Sequence, residues 1–175
     1  MSYTPMSDLG QQGLFDITRL LLQQPDLAAL SETLTRLVQQ SALADEAAII
    51  LWNAGNHRAA RYACDEAGHP VSYEDETVLA HGPVRRLLSR PDALHCDHET
   101  FADTWPQLIR SGLYRPFGYY SLLPLAADGR IFGGCEFLRR DNRPWSEKEF
   151  QRLHTFAQIV AVVTEQIQNR VSKIG

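Results

Sequence analysis

Apolar positions recur along this chain in two rhythms, and the change from one to the other marks its elements. From Leu9 to Gln24 the spacing is helical, with Leu14, Ile17 and Leu21 on one face. Pro25-Asp26 interrupts it, and Asp26 can cap a second helix carrying Leu27, Leu30, Leu34 and Leu37. Glu46 to Asn53 then reads as a strand, Ala54-Gly55-Asn56 as a turn and His57 to Cys64 as the returning strand. Further on, Gly82-Pro83 opens a short helix over Val84 to Ser89, because proline is well tolerated in a first helical turn. Ala93 to His98 reads as a short strand and Glu99 to Ser111 as a helix that Pro106 breaks or kinks. A hairpin follows from Tyr119, and a long helix runs from Glu147 towards the end.

The hairpin, YYSLLPLAADGRIFGGCEFLRR, turns at Asp128-Gly129, the residue pair favoured by a turn needing positive φ at both positions. A two-residue loop pairs Ala127 with Arg130. Continued outward without a break, it puts Tyr120, Leu122, Ala126, Ile131, Cys135 and Phe137 on one face. Tyr119, Ser121, Leu123, Leu125, Phe132, Gly134, Glu136 and Leu138 fall on the other. Neither face carries the charges of a water-facing sheet, so the hairpin is predicted to be covered on both sides. The register sets Ser121 opposite Glu136 with Gly134 leaving room beside them, which fits a small-ligand pocket. The alternative is that Gly133-Gly134 marks a bulge and Glu136 reaches solvent past an edge.

The stretch PWSEKEF has the form of a capping box, Ser146 with Glu149, flanked by Trp145 and Phe150 as a hydrophobic staple. In the helix behind it, Phe150, Leu153, Ala157, Val160, Thr164, Ile167, Val171 and Ile174 alternate steps of three and four. Such a seam suits a coiled-coil exit and a homodimer through the C-terminal helix; a core stripe over its first half is the competing reading. With the seam unfinished at its end, residues 147–174 are expected to continue into a downstream region.

Length and charge narrow the classes. The 175 residues, 44% hydrophobic and 22% charged, suit one domain. A net charge of -4 and pI near 5.8 argue against direct nucleic-acid contact, which needs a basic face. No apolar run is long enough to span a membrane and the N-terminus lacks the features of a signal peptide, so a cytoplasmic protein is expected. Cys64, Cys96 and Cys135 form neither a disulfide framework nor a metal knuckle. No cofactor is implied, and there is no phosphate-binding GxxxxGK[ST] loop.

The order of elements gives an α+β fold: a central antiparallel sheet with N- and C-terminal helices on one face and a mixed middle segment covering the other. In this order the segments PDLAALSETLTRLV, GPVRRLLSRPDALHCD, SLLPLAADGRIFGGCEF and WSEKEFQRLHTFAQIVAVVTEQI resemble a GAF domain. The segments MSYTPMSDLGQQGLFDITR, YEDETVLAHGPVR, IFGGCEF and RPWSEKEF are similar to the GAF domains of formate-responsive, sigma-54-dependent transcriptional activators. That resemblance implies a sensory domain that takes formate or another small anion and restrains or releases an ATPase downstream in the same chain. It supplies no set of ligand residues.

Formate needs donors. His81 and Arg85 stand at the start of the short middle helix, Arg115 and Tyr119 lead into the hairpin strand, and Ser121 adds a hydroxyl. These five are the expected contacts. Three other readings belong to the same family: a free methionine sulfoxide reductase using the cysteines, an iron sensor using His95, Cys96, Asp97 and His98, and a ligand-free dimerising relay. Alternation along a strand allows at most two of the HCDH side chains to face one metal.

Overall fold

The computed structural model describes residues 11–53 and 57–174. The turn expected at Ala54-Gly55-Asn56 and the N-terminal MSYTPMSDLG lie outside the described residues, as do the first two positions of the expected first helix. Two helices, α1 (Gln11–Leu22) and α2 (Leu27–Gln40), lead into strands β1 (Glu46–Asn53), β2 (Arg58–Cys64) and β3 (Pro70–Glu76). Four short helices and a strand make the middle: α3 (Thr77–Ala80), α4 (Pro83–Ser89), β4 (Leu94–Asp97), α5 (His98–Thr104) and α6 (Pro106–Ser111). Strands β5 (Tyr119–Ala127) and β6 (Arg130–Arg139) and helix α7 (Glu147–Ile174) complete it. The sheet is antiparallel throughout, in the order β3-β2-β1-β6-β5-β4.

Local chemistry accounts for most boundaries. Asp26 accepts the Ala29 N–H at 2.8 Å and Asp97 accepts that of Thr100 at 2.8 Å, which caps α2 and α5. Pro106 does break the helix expected over Glu99–Ser111: Trp105 leaves helical geometry and α6 starts afresh at the proline. At the start of α7 the box closes reciprocally, Glu149 N–H to Ser146 Oγ at 3.1 Å and Ser146 N–H to Glu149 Oε1 at 2.9 Å. Strand β3 and the single turn α3 carry no strong periodicity and go unpredicted. Val71 and Tyr73 are the half-buried apolar residues of β3, and α3 adds Val78, Leu79 and Ala80 within a single turn, runs too short to show a rhythm.

Two apolar layers sandwich the sheet. One packs α1, α2 and α7 against Ala47, Ile49, Leu123, Leu125, Cys135 and Phe137; the other packs the middle segment against Ile50, Tyr120, Leu122 and Leu138. The hairpin register is the main departure from expectation. Asp128 and Gly129 both have positive φ, and Ala127 and Ala126 pair with Arg130 and Ile131 as expected. Leu125 then pairs with Gly133, so Phe132 is an extra residue and every later pair slips by one. Along β5, Tyr120 and Leu122 face the middle segment, while Ser121, Leu123 and Leu125 face the helices. Glycine is required at 133 because a Cβ there would stand 2.2 Å from the Ile50 carbonyl oxygen.

The seam of α7 is mostly internal. Leu153, Ala157, Val160, Thr164 and Ile167 are all buried within the domain's own core, and Val171 is 66% exposed. The side chain of Ile174 lies outside the described residues.

Candidate functional site

The five residues expected to share a ligand lie in three places. His81 and Arg85 meet on the exposed corner between α3 and α4, with Arg85 Nη1 2.9 Å from His81 Nδ1. Arg115 is committed to Glu46: its Nε donates to Glu46 Oε1 at 2.6 Å and its Nη2 donates to the same oxygen. Tyr119 packs edge-on to Trp145, and Ser121 Oγ lies 3.0 Å from His95 Nδ1 on the helix side of the sheet. The expected pairing of Ser121 with Glu136 is corrected by the bulge at Phe132. Phe137 stands opposite Ser121, and Leu122 stands opposite Glu136. Nor does Gly134 leave a void, since a Cβ there would come within 2.5 Å of Leu122 and 3.1 Å of Leu87.

Glu136 is nonetheless the centre of the domain's most unusual chemistry. Its carboxylate is 0% exposed, in the layer between sheet and middle segment. Arg61 of β2 donates from Nε to Glu136 Oε1 at 2.7 Å. The hydroxyls of Tyr114 and Tyr120 both donate to Oε2, Tyr114 at 2.5 Å. Arg61 Nη1 reaches on to the Leu113 carbonyl oxygen at 3.1 Å, and its guanidinium lies 4.2 Å from the centre of the Tyr114 ring. Three donors on one carboxylate are what a charge needs in a dry interior.

Electrostatics binds the group together. Burial opposes the charge on Arg61, but Glu136 together with Tyr114 and Tyr120 more than offsets it, so the guanidinium stays firmly protonated. Burial, and after it the Glu136 charge, pushes both phenols well above the usual tyrosine range. Phe101 packs on Tyr114 and Tyr120 at ring separations of 5.5 and 4.8 Å and helps close the site to water.

The sequence carried a signal for this group. Arg61 falls in phase with Ala59 and Ala63, on the buried side of β2, and Glu136 falls within the apolar run of β6. Two lone, opposite charges on apolar strand faces point to each other. Strand β1 lies between them, and its residue opposite Glu136 is Ala48, small enough to let the arginine cross. Tyr114 gave no signal, because it lies in the irregular segment between α6 and β5.

Cys64, Cys96 and Cys135 are free and buried. Cys135 faces the helices and Cys96 the middle segment, and burial raises both thiols, Cys96 to about 11. In the HCDH stretch His95 turns towards Phe150, Cys96 turns into the opposite layer, and Asp97 is spent capping α5. Among the described residues no three His, Cys, Asp or Glu side chains converge as a metal site. None of these helices is long and apolar enough to cross a membrane.

A sequence profile of the GAF domain matches residues 26–163. The chain belongs to the GAF domain family. This GAF domain is 74% identical over 172 residues, 98% of its length, to the formate hydrogenlyase transcriptional activator of Salmonella typhimurium strain LT2. It is 71% identical over 171 residues to that of Escherichia coli K12. The chain spans about a quarter of each of these curated relatives (25%). Among solved structures it is similar to the GAF domain of an Acinetobacter phosphoenolpyruvate-protein phosphotransferase, with a TM-score of 0.66 and 15% identity. That match covers 94% of this chain and 97% of the other. A free methionine-R-sulfoxide reductase from Neisseria meningitidis superposes with a TM-score of 0.65 at 12% identity, covering 97% and 96%. These structural likenesses show the fold alone; the high-identity relatives are named as transcriptional activators, not enzymes.

Proposed function

We propose that this GAF domain is the small-molecule-sensing part of a transcriptional activator that answers to formate and controls an ATPase elsewhere in the same polypeptide. The observation that carries the reading is identity of 71% and 74%, over 98% of the chain, to activators named for formate hydrogenlyase. The domain then works in the cytoplasm and leaves DNA contact to other parts of the protein. Formate has three heavy atoms, and at about 1.5 kcal/mol per atom its affinity is limited to roughly 0.5 mM or weaker. The sensor is therefore a millimolar one.

A thermal melt in matched sodium formate, acetate and chloride tests this. With a constant near 1 mM, 50 mM formate adds about 2.3 kcal/mol to folding and raises the midpoint by roughly 5–9 °C. Equal midpoints in the three salts would place formate recognition outside this domain. His81→Ala and Arg85→Ala are the first variants to compare, because these two candidate donors stand together at the surface.

A second reading, a dimerising relay without a ligand, has its own support. Phe15 on α1 is 62% exposed and Val162 and Val171 on α7 are exposed as well, so both terminal helices carry apolar side chains outside the core. The two readings are compatible, since one helix can both pair the domains and pass on their state.

A further inference from the structure

The carboxylate of Glu136 is held by side chains from three other segments: Arg61 of β2, Tyr120 of β5 and Tyr114 ahead of β5. One planar cation and two phenols converging on a pair of oxygens in a dry interior recognise carboxylates as a class. All three contacts are made to the carboxylate oxygens, so the bound group is chemically a formate or acetate tethered to β6. The same guanidinium holds the Leu113 carbonyl oxygen, which links the cradle to the segment between α6 and β5.

We propose that Arg61, Tyr114 and Tyr120 form a binding site for a one- or two-carbon monocarboxylate, and that Glu136 is its tethered competitor. Only the choice of formate as the physiological ligand rests on the sensor reading above; the chemistry of the cradle does not. A tethered group acts at an effective concentration in the millimolar range or higher. A free carboxylate of millimolar affinity therefore enters readily only when the tether is gone.

Glu136→Ala removes a CH₂–COO⁻ group the size of acetate and leaves Arg61 and both hydroxyls without their acceptor. The variant is melted in 200 mM sodium formate, acetate, propionate or chloride. With a constant of about 0.5 mM, formate raises its folded-to-unfolded ratio about 400-fold over chloride. Acetate does the same, and propionate, one methylene too long, falls short of both. Glu136→Gln fills the original volume and is expected to ignore all four salts. Adding Tyr114→Phe and Tyr120→Phe to the alanine variant abolishes the carboxylate response. An alanine variant that melts alike in formate and chloride, or stays unfolded in both, overturns the proposal. So does a glutamine variant that responds as strongly, or a response that survives loss of both hydroxyls. The wild-type chain run alongside separates the two readings. Silence there with a responsive alanine variant keeps the cradle and removes this domain as the formate sensor; the reverse keeps the sensor and removes the cradle.

Discussion

Arg61 and Glu136 illustrate how a charge survives in an apolar layer. Each is costly alone, and each is tolerated because the other satisfies it with Tyr114, Tyr120 and the Leu113 carbonyl. Arg61→Met leaves the Glu136 carboxylate buried without its counter-ion, and the urea midpoint should fall by an amount worth about 3–5 kcal/mol. Arg61→Met with Glu136→Gln removes both charges and should recover most of that loss; a double variant as unstable as the single would mean that packing, not charge, dominates. The phenols and buried thiols set the alkaline limit. Their pKa values are raised on folding, so the folded chain keeps protons that the unfolded chain gives up. Stability is full below the unfolded values and lost as pH rises through the folded ones. The loss begins near pH 9, where the unfolded thiol of Cys96 ionises while the folded one holds to about 11. It continues above pH 10 as unfolded Tyr114 and Tyr120 ionise. Urea midpoints between pH 7 and 11 should show this fall, and Tyr114→Phe with Tyr120→Phe should make it shallower above pH 10.

At the scale of elements, local rules located most boundaries and one non-local event reordered a face. The capping box of α7 and the Asp26 and Asp97 caps form as their residue types require, because a cap is settled within four residues. Ser146→Ala is expected to cost about 1 kcal/mol, read as a lower urea midpoint at an unchanged slope. Glu149 also receives Arg139 Nη2 at 2.7 Å, so the helix start is tied to the end of β6 and the effect should exceed that at a free cap. The bulge at Phe132 was half legible. Gly133-Gly134 announced an irregularity, but which strand gained the residue depends on how closely β1 approaches Gly133. Because strand faces alternate, that single residue of β6 put Ser121 on the face of Cys135 and Phe137 and Tyr120 on the face of Glu136.

At the scale of the molecule, the α7 seam serves the domain itself through Ile167, so Val160→Asp should unfold the chain rather than merely separate two copies. A homodimer through the terminal helices would have to use the outward residues. Light scattering is expected to give a dimer mass for the wild type and a monomer mass for Val162→Asp with Val171→Asp, with circular dichroism unchanged. A dimer mass in the folded variant would move the contact elsewhere. The sequence by itself determined the α+β class, the two-sided cover of the hairpin, the helix caps, the break at Pro106 and the family resemblance. All of these follow from periodicity, short-range capping or ordered local patterns. Tertiary structure decided the place of β3, the slip in register, the partner of every buried charge and the dispersal of the five expected ligand residues. Those depend on strands brought together from distant positions: Arg61 and Glu136 meet across β1, and Tyr114 joins them from a segment with no periodicity to betray it.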